Sequence, residues 1–479
     1  MREGYGLTTP VNETPVESVP VAELGEPLLQ GSTRIHVSRE AARLIASSGR
    51  AAVIWLPVYA FLTRHVSSLE ALLVLSAIVT AVWFLALRAA FAAARLTLLA
   101  LGPTVAAGIG TGTGLAAVSA LNPWLPGMQL GPQTLLAIAG SVFVLSATWE
   151  ALVYRSLAGR NRVLIVGASD GGSELIEELA LSEDAPFEIV GLVDDERASD
   201  LVAGVPLHGR IEDLAEIVEA QRPDLVVLAV ADKRPDAFNH LLDVAATGFK
   251  VIGLPEFYEH AFGRVPVRHL TPAWFMGMLS FYHRTYSRLA KRTFDVAVGA
   301  IGLAVSAPLI PFIVLLVRRT PGPVIYRQTR LGEGGRAFTM YKFRTMRADA
   351  EEPGVAMWAE ESDPRVTRSG RFLRKARLDE LPQLWNVLKG DMSVVGPRPE
   401  RPEFLELLHE AVPFWTRRHL VKPGITGWAQ VRRGYTADAE GTGDKLSYDL
   451  WYLRHRSLVI DLAICVKTFA TLLSGAGAR

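Results

Sequence analysis

A single cysteine, Cys465, leaves this chain of 479 residues no intrachain disulfide and no cysteine-rich metal site. That usage suits a reducing compartment, with the thiol serving as a small apolar group. Asp-x-Asp, the metal-binding pair of ordinary glycosyltransferases, occurs nowhere. The opening stretch has no apolar run of signal-peptide length. Rich in Pro, Glu, Gly and Thr, residues 1–35 read as a disordered cytoplasmic tail. An excess of charge of either sign is missing too, since 50 Lys and Arg offset 49 Asp and Glu. Global charge therefore argues neither for nor against an anionic partner, and no nucleic acid is expected as one.

What the chain does have is apolar length. Its mean hydropathy of +0.23 is high for a soluble protein, and its size suits two or three domains. Apolar blocks near 44–62, 70–87, 96–119 and 134–153 are each about long enough to cross a hydrocarbon core of roughly 30 Å. Residues 36–157 are therefore expected to form a bundle of four transmembrane helices. Arg34, Arg39, Arg43 and Arg50 precede the blocks, Arg88 and Arg95 flank the second connection, and Arg155, Arg160 and Arg162 follow. The third connection carries no charge, so both ends of the bundle are expected in the cytoplasm, with Arg64 and His65 of the first connection a mild departure.

Strand-like runs at 162–167, 188–195, 224–230 and 250–254, with an amphipathic helix after the first, predict a doubly wound Rossmann-like α/β domain over 158–275. The glycines after the first strand, Gly167, Gly171 and Gly172, are spaced G-x-x-x-G-G, a weak match to a dinucleotide loop. Asp194 is a candidate ribose ligand there. No Tyr-x-x-x-Lys pair follows to do redox or dehydratase chemistry, so regulation or assembly is the expected role and a bound nucleotide stays open.

Residues 276–479 are expected to form an α/β catalytic domain. It begins with the apolar run Phe294–Val317, bracketed by Arg288, Lys291 and Arg292 before it and Arg318 and Arg319 after it. Pro308 and Pro311 interrupt its middle, and cations at both ends suit a segment whose two ends share one side. Residues 291–318 are therefore expected to enter and leave one leaflet as a re-entrant helix broken near these prolines, where the hairpin of the family named below places Ser306 and Pro308. Leu458–Leu473 reads as an amphipathic helix lying on the membrane.

The chemistry concentrates in Arg371–Glu400. Leu381, Leu384, Trp385 and Leu388 recur at helical spacing and Gly390 follows, predicting a helix with a buried face and with Asp379 and Glu380 at its start. An isolated Asp-Glu would be an ordinary N-cap. Here Arg371, Arg374, Lys375 and Arg377 precede it and Gly396-Pro397-Arg398-Pro399 follows, and carboxylates among cations suggest phosphate chemistry. Lys342 and Arg344, two residues apart in a strand-like run, are expected on one face, and Gln328 and Arg330 alternate likewise. Trp428 either packs in the core, its commoner fate, or stacks on a base. Lys445, Tyr448, Asp449 and Tyr452 share a helical face and either line a site or pack.

Lys291-Arg292-Thr293-Phe294-Asp295, Lys342-Phe343-Arg344-Thr345-Met346, Leu378-Asp379-Glu380-Leu381-Pro382-Gln383, the Gly390–Pro399 run and Pro423-Gly424-Ile425-Thr426-Gly427-Trp428 together resemble the bacterial sugar transferases, the monotopic phosphoglycosyl transferases. The resemblance covers about residues 285–479. It implies transfer of a hexose 1-phosphate from a UDP-sugar to polyprenyl phosphate, through an aspartyl phosphosugar on Asp379 and with release of UMP. It further implies Glu380 as base or metal ligand, Mg2+ held by Asp379 and Glu380, and Lys342, Arg344, Arg374, Arg398, Pro399 and Gln383 around the substrate. The setting would be the bacterial inner membrane, with the catalytic domain on the cytoplasmic face and a homodimer compatible with the large members. One departure is Ala307, which separates Ser306 from Pro308 at the helix break. Two rival readings are a membrane-tethered NAD-dependent nucleotide-sugar dehydratase and a non-catalytic, nucleotide-sensing scaffold for polysaccharide assembly. Which sugar is carried is not legible.

Overall fold

The computed structural model describes residues 39–95, 103–125, 129–157, 161–168, 170–181, 187–195, 201–202, 204–229, 249–282, 288–347, 349–350, 363–432 and 439–474. The expected tail, 1–35, lies outside them.

Four long helices come first: α1 (Arg39–Leu62), α2 (Leu69–Arg95), α3 (Pro103–Leu121) and α4 (Pro132–Leu157). Leu44–Leu62, Leu69–Phe91 and Pro132–Val153 are long and apolar enough to cross a membrane, as is Arg288–Val317 further on, so this is a membrane protein. Side chains hold the helices in register. The Trp83 indole donates to the Thr111 carbonyl (3.1 Å), and Arg50 pairs with Glu150 (2.5 Å), tying α1 to α4. Small residues permit the close approach: a Cβ on Gly114 or Gly49 would overlap the ring of Trp83 or Trp149.

A parallel sheet follows, from β1 (Asn161–Val166), β2 (Phe187–Val193), β3 (Leu225–Leu228) and β4 (Lys250–Gly253), in the order β2-β1-β3-β4. Helix α5 (Asp170–Leu181) follows β1, α6 (Leu214–Gln221) precedes β3, and α7 (Leu254–Ala261) follows β4. Val163–Val166 are all buried because a central parallel strand is covered on both faces.

The polypeptide then enters the C-terminal α/β region through α8 (Pro272–Tyr282). Helix α9 (Arg288–Ser306) and α10 (Ile310–Val317) are joined by a single 3-10 turn, Ala307–Leu309, so the interruption falls where Ser306 and Pro308 stand. Both arms pack on the same unit. A Cβ on Gly299 or Gly302 would touch Leu388 or Leu384, each at 3.2 Å, while Ile313 and Val317 of α10 share a cluster with Phe343 and Leu373. The other side of the pair is apolar and open, with Ile301, Val305, Phe312 and Leu315 all exposed. Strands β5 (Ile325–Leu331) and β6 (Ala337–Phe343) form an antiparallel hairpin. After α11 (Arg368–Lys375) and α12 (Gln383–Lys389), β7 (Ser393–Val395) pairs in parallel with β8 (Gly424–Thr426). Helices α13 (Trp428–Arg432), α14 (Ala439–His455) and α15 (Leu458–Ser474) complete the chain, with a short helix at Leu405–Ala411 on the way.

The sheet region and the C-terminal region meet at α7. Buried Glu259 accepts the Trp274 indole N–H (2.6 Å) and pairs with Arg454 and His455 (2.7 Å each). Its backbone carbonyl accepts the Trp451 indole (3.0 Å), and Gly263 O accepts that of Trp428 (2.7 Å). Trp428 is thus a core residue, stacked on Trp451, and is not available to a base. The last helix packs on the same unit. Ile460, Asp461, Ala463 and Ile464 of α15 are built into the core, and Leu458, Leu462, Val466 and Phe469 form an exposed apolar stripe.

Candidate active site

Asp379 and Glu380 lie on a 3-10 turn, Leu378–Glu380, not on the first turn of an α-helix as the spacing predicted. Arg377 adopts a left-handed conformation (φ 55°) that ends α11 and swings the pair inward. The turn continues through i to i+3 bonds, Leu381 N to Leu378 O and Leu384 N to Leu381 O, so α12 begins only at Gln383. The delay rotates the helix. Gln383, Asn386 and Val387 face the core, Leu384 and Leu388 face α9, and Trp385, expected inside, is 58% exposed. Gly390 closes the helix at φ 98°, as a glycine after the last turn should.

The two neighbouring carboxylates have opposite surroundings. Glu380 Oε1 is bonded by Lys342 Nζ (3.1 Å) and Arg398 Nη2 (3.2 Å), and Arg377 Nη1 stands 3.8 Å from Oε2. Burial pushes Glu380 up, but Lys342, Arg398 and Arg377 outweigh it and hold the carboxyl well below its usual range. Asp379 is equally buried, yet its Oδ1 has no hydrogen-bond partner. Burial raises it, helped by the Glu380 charge and opposed by Lys342, Arg374 and Arg398, with a net upward shift. One carboxylate is pinned and ionised, while its neighbour is desolvated and left unsatisfied. That division suits one group to hold position and the other to react.

Arg374, on the inward side of α11, donates Nε to Thr345 Oγ1 (2.9 Å), which fixes its guanidinium plane near Asp379. Lys342 and Arg398 reach the dyad as expected. Arg344 does not. Strand β6 stops at Phe343, so the two-residue alternation lapses before Arg344. Its guanidinium instead donates to the carbonyls of Pro323 (2.7 Å), Thr320 (2.9 Å), Val317 (3.2 Å) and Met346 (3.5 Å), capping the end of α10. Gln383 is buried beside the dyad with its Nε2 unpartnered. The Pro399 carbonyl accepts from Arg330 (3.0 Å), whose other nitrogens bind Gln328 Oε1, so the Gln328–Arg330 pair braces the Arg398 loop. Ser306 Oγ donates to Leu303 O (3.2 Å) within its own helix.

Motif residues near the membrane segment are framework. Asp295 pairs with Lys291, one helical turn before it (3.4 Å). It accepts from Ser393 Oγ (2.9 Å) and Val394 N (3.0 Å), while Arg292 caps α12 through the Val387 and Leu388 carbonyls. The Val395 carbonyl, just before Gly396, receives Lys291 Nζ (3.1 Å), Tyr452 OH (3.1 Å) and Ser393 Oγ (2.9 Å). Asp449, on the same face of α14 as Tyr452, is buried against Arg418 (2.7 Å), which also holds Glu400 (3.1 Å). That face packs and pairs and does not line the dyad. Gly424 and Gly427 leave no room for a side chain, because a Cβ on either would overlap the backbone of Gly396. Thr345, Arg377 and Asn386, whose amide spans Thr339 O (2.7 Å) and Tyr341 N (3.1 Å), were not singled out from sequence. Two of them carried a signal, Arg377 as one of the cations leading into the dyad and Thr345 as a member of the Lys342–Met346 motif.

Magnesium commonly takes one or two protein carboxylates and completes its shell with substrate oxygens and water. The unpartnered Oδ1 of Asp379 beside Glu380 fits that demand. Among the described residues no third acidic, histidine or cysteine side chain joins them. In the sheet region, Asp194 Oδ2 accepts the Ala168 N–H (2.6 Å), so the proposed ribose ligand is engaged by the loop after β1.

Comparison with known proteins gives two family matches: bacterial sugar transferase over residues 286–475 and CoA-binding domain over 131–244. The UDP-N-acetylgalactosamine-undecaprenyl-phosphate N-acetylgalactosaminephosphotransferase of Aeromonas hydrophila is 40% identical over 268 residues, 54% of this chain and 62% of that protein. The UDP-glucose:undecaprenyl-phosphate glucose-1-phosphate transferase of Escherichia coli K12 is 33% identical over 325 residues, 66% and 68% of the two chains. An exopolysaccharide production protein, PSS, of Rhizobium leguminosarum is 42% identical over 191 residues, 38% of this chain and 95% of that one.

Proposed function

This chain belongs to the bacterial sugar transferase family, and from that premise we propose that it transfers a sugar 1-phosphate from a UDP-sugar to undecaprenyl phosphate. The product would start an exopolysaccharide, capsule or O-antigen. The observation that carries the reading is the asymmetry of the dyad: Asp379 desolvated with a free oxygen, and Glu380 locked by cations.

An Asp379 carboxylate oxygen attacks the phosphorus bonded to the sugar. The bond from that phosphorus to the oxygen bridging the two phosphates breaks, and UMP leaves with the electron pair. The resulting acyl phosphate is then attacked by an oxygen of undecaprenyl phosphate, which expels the Asp379 carboxylate and yields a lipid-linked diphosphosugar. Lys342, Arg374 and Arg398 converge where the transferring phosphate would sit and offset its charge as the transition state forms. Glu380 keeps Lys342 and Arg398 aimed there. Magnesium on Asp379 and Glu380 would neutralise diphosphate charge that otherwise repels the nucleophile.

The membrane setting follows the same reading. Helices α1–α4 form a transmembrane bundle and the sheet region a Rossmann-like cytoplasmic domain. The α9–α10 pair is re-entrant, because two arms packed on one unit at Gly299, Gly302, Ile313 and Val317 return the chain to its starting side. The dyad then works at the cytoplasmic headgroup plane of the inner membrane. Relatives named for glucose and for N-acetylgalactosamine leave the sugar to experiment.

The test is UMP release from a panel of UDP-sugars by the full chain in nanodiscs, with undecaprenyl phosphate and magnesium. Release that depends on the lipid for turnover and disappears in Asp379→Asn supports the reading. Equal turnover by the variant overturns it.

A further inference from the structure

We propose that the outward face of α11, together with the end of α10, is a binding surface for anionic phospholipid headgroups. The proposal rests on the re-entrant seating of α9–α10 and adds a lipid preference to it. Arg368, Arg371, Phe372 and Lys375 stand at i, i+3, i+4 and i+7, and all four are exposed, Phe372 by 58%. The opposite side of α11 is inward: Gly370 and Leu373 are buried, and Arg374 reaches Thr345. A large aromatic left open between three cations is a poor surface for water and a good one for a bilayer interface, where the ring enters and the long cations reach phosphate.

Packing fixes the depth of this face. Leu373 shares a cluster with Ile313 and Val317, in α10's last turns, directly before the exposed Arg318 and Arg319. Helix α11 therefore lies at the level where α10 leaves the hydrocarbon. Beside it, Phe312 (68% exposed) and Leu315 (64%) continue the apolar surface. None of the five exposed cations, Arg318, Arg319, Arg368, Arg371 and Lys375, is ion-paired among the described residues. Their net charge is complementary to an anionic headgroup and gives no comparable gain with a zwitterionic one.

The face is coupled to the chemistry through the thickness of one helix. A headgroup layer holding Arg368, Arg371 and Lys375 steadies the same two turns that present Arg374 to the dyad. Anionic lipid is thereby expected to raise turnover as well as to bind.

The full-length protein and its Arg368→Gln/Arg371→Gln/Lys375→Gln variant would be compared in nanodiscs of phosphatidylcholine with and without phosphatidylglycerol, at saturating undecaprenyl phosphate. Amide hydrogen exchange over residues 368–375 and the initial rate are read together. Phosphatidylglycerol should slow exchange in the wild type and raise its rate at least about fivefold, the partitioning one surface Lys or Arg contributes. Raised salt should erase both effects. The triple variant should match the wild type in phosphatidylcholine and respond to neither. Indifference of wild-type exchange to phosphatidylglycerol overturns the proposal without recourse to the variant, and so does an equal response by the variant. Protection induced by undecaprenyl phosphate alone, in phosphatidylcholine, assigns the face to substrate and also overturns it. If exchange responds while no sugar yields UMP, the lipid surface stands and the transferase reading falls.

Discussion

Replacing Thr345 with valine removes one oxygen and keeps the β-branched shape. Its hydroxyl accepts the Arg374 Nε–H at 2.9 Å in a buried setting. The Thr345 carbonyl, which receives Thr367, is untouched. A hydrogen bond to a charged group contributes about 1.5–3 kcal/mol net. If the substrate phosphate meets Arg374 mainly in the transition state, that loss lowers kcat/KM by about 10- to 150-fold. The fall should appear in single-turnover UMP release with KM for the UDP-sugar little changed, since the arginine keeps its charge and loses only its orientation. Thr345→Ser should recover most of the rate, and the melting temperature should move little in either variant. A Thr345→Val protein within about threefold of wild type would refute the claim that Thr345 sets Arg374.

As the proposed nucleophile, Asp379 must be ionised to attack, and burial pushes it above the ordinary carboxylate range, so the rate is expected to fall as pH drops through that raised value. Lys342→Met removes the strongest pull downward on Asp379, and the acidic limb of the rate profile should move to higher pH. An unmoved limb would detach Lys342 from the dyad. Arg344→Met strips a cap from four carbonyls and should lower stability by about 3 kcal/mol in denaturant melts with an unchanged KM for the UDP-sugar in whatever protein folds. A large KM effect would return Arg344 to the substrate. Gly424→Ala forces a methyl into the Gly396 backbone and should cost about 1–3 kcal/mol while loosening Arg398, seen as lower thermal stability together with lower turnover.

The dyad and three of its cations were legible because their motifs are short and local: Asp379–Glu380 in one turn, Lys342 on a strand, Arg374 in the basic run before the dyad, Arg398 between two prolines. The sheet region was legible from uninterrupted buried strands such as Val163–Val166. The misreadings arose where periodicity was carried across an element's end. Arg344 stands one residue after the strand stops, and the face expected to hold Trp385 was counted from Leu381, which precedes the helix that starts at Gln383. Lys291 and Asp295 pair with each other one helical turn apart, a contact that local spacing shows, but their remaining partners, Val395, Asp461, Ser393 and Val394, lie about a hundred or more positions away. Such long-range pairing leaves no trace in local spacing.

Glu259 makes the sheet region hard to detach. It is the last acid of α7, yet the groups it satisfies, Trp274, Trp451, Arg454 and His455, belong to the catalytic half. Cutting the chain after α7 and discarding the front would open the Trp428–Trp451 stack to water and abandon two indole donors. The two halves should therefore melt in one transition, and a truncated enzyme that keeps its activity would need to begin before Leu254. A ligand that tightens or loosens the parallel sheet then acts on the transferase through its own core, with no flexible hinge to absorb the strain.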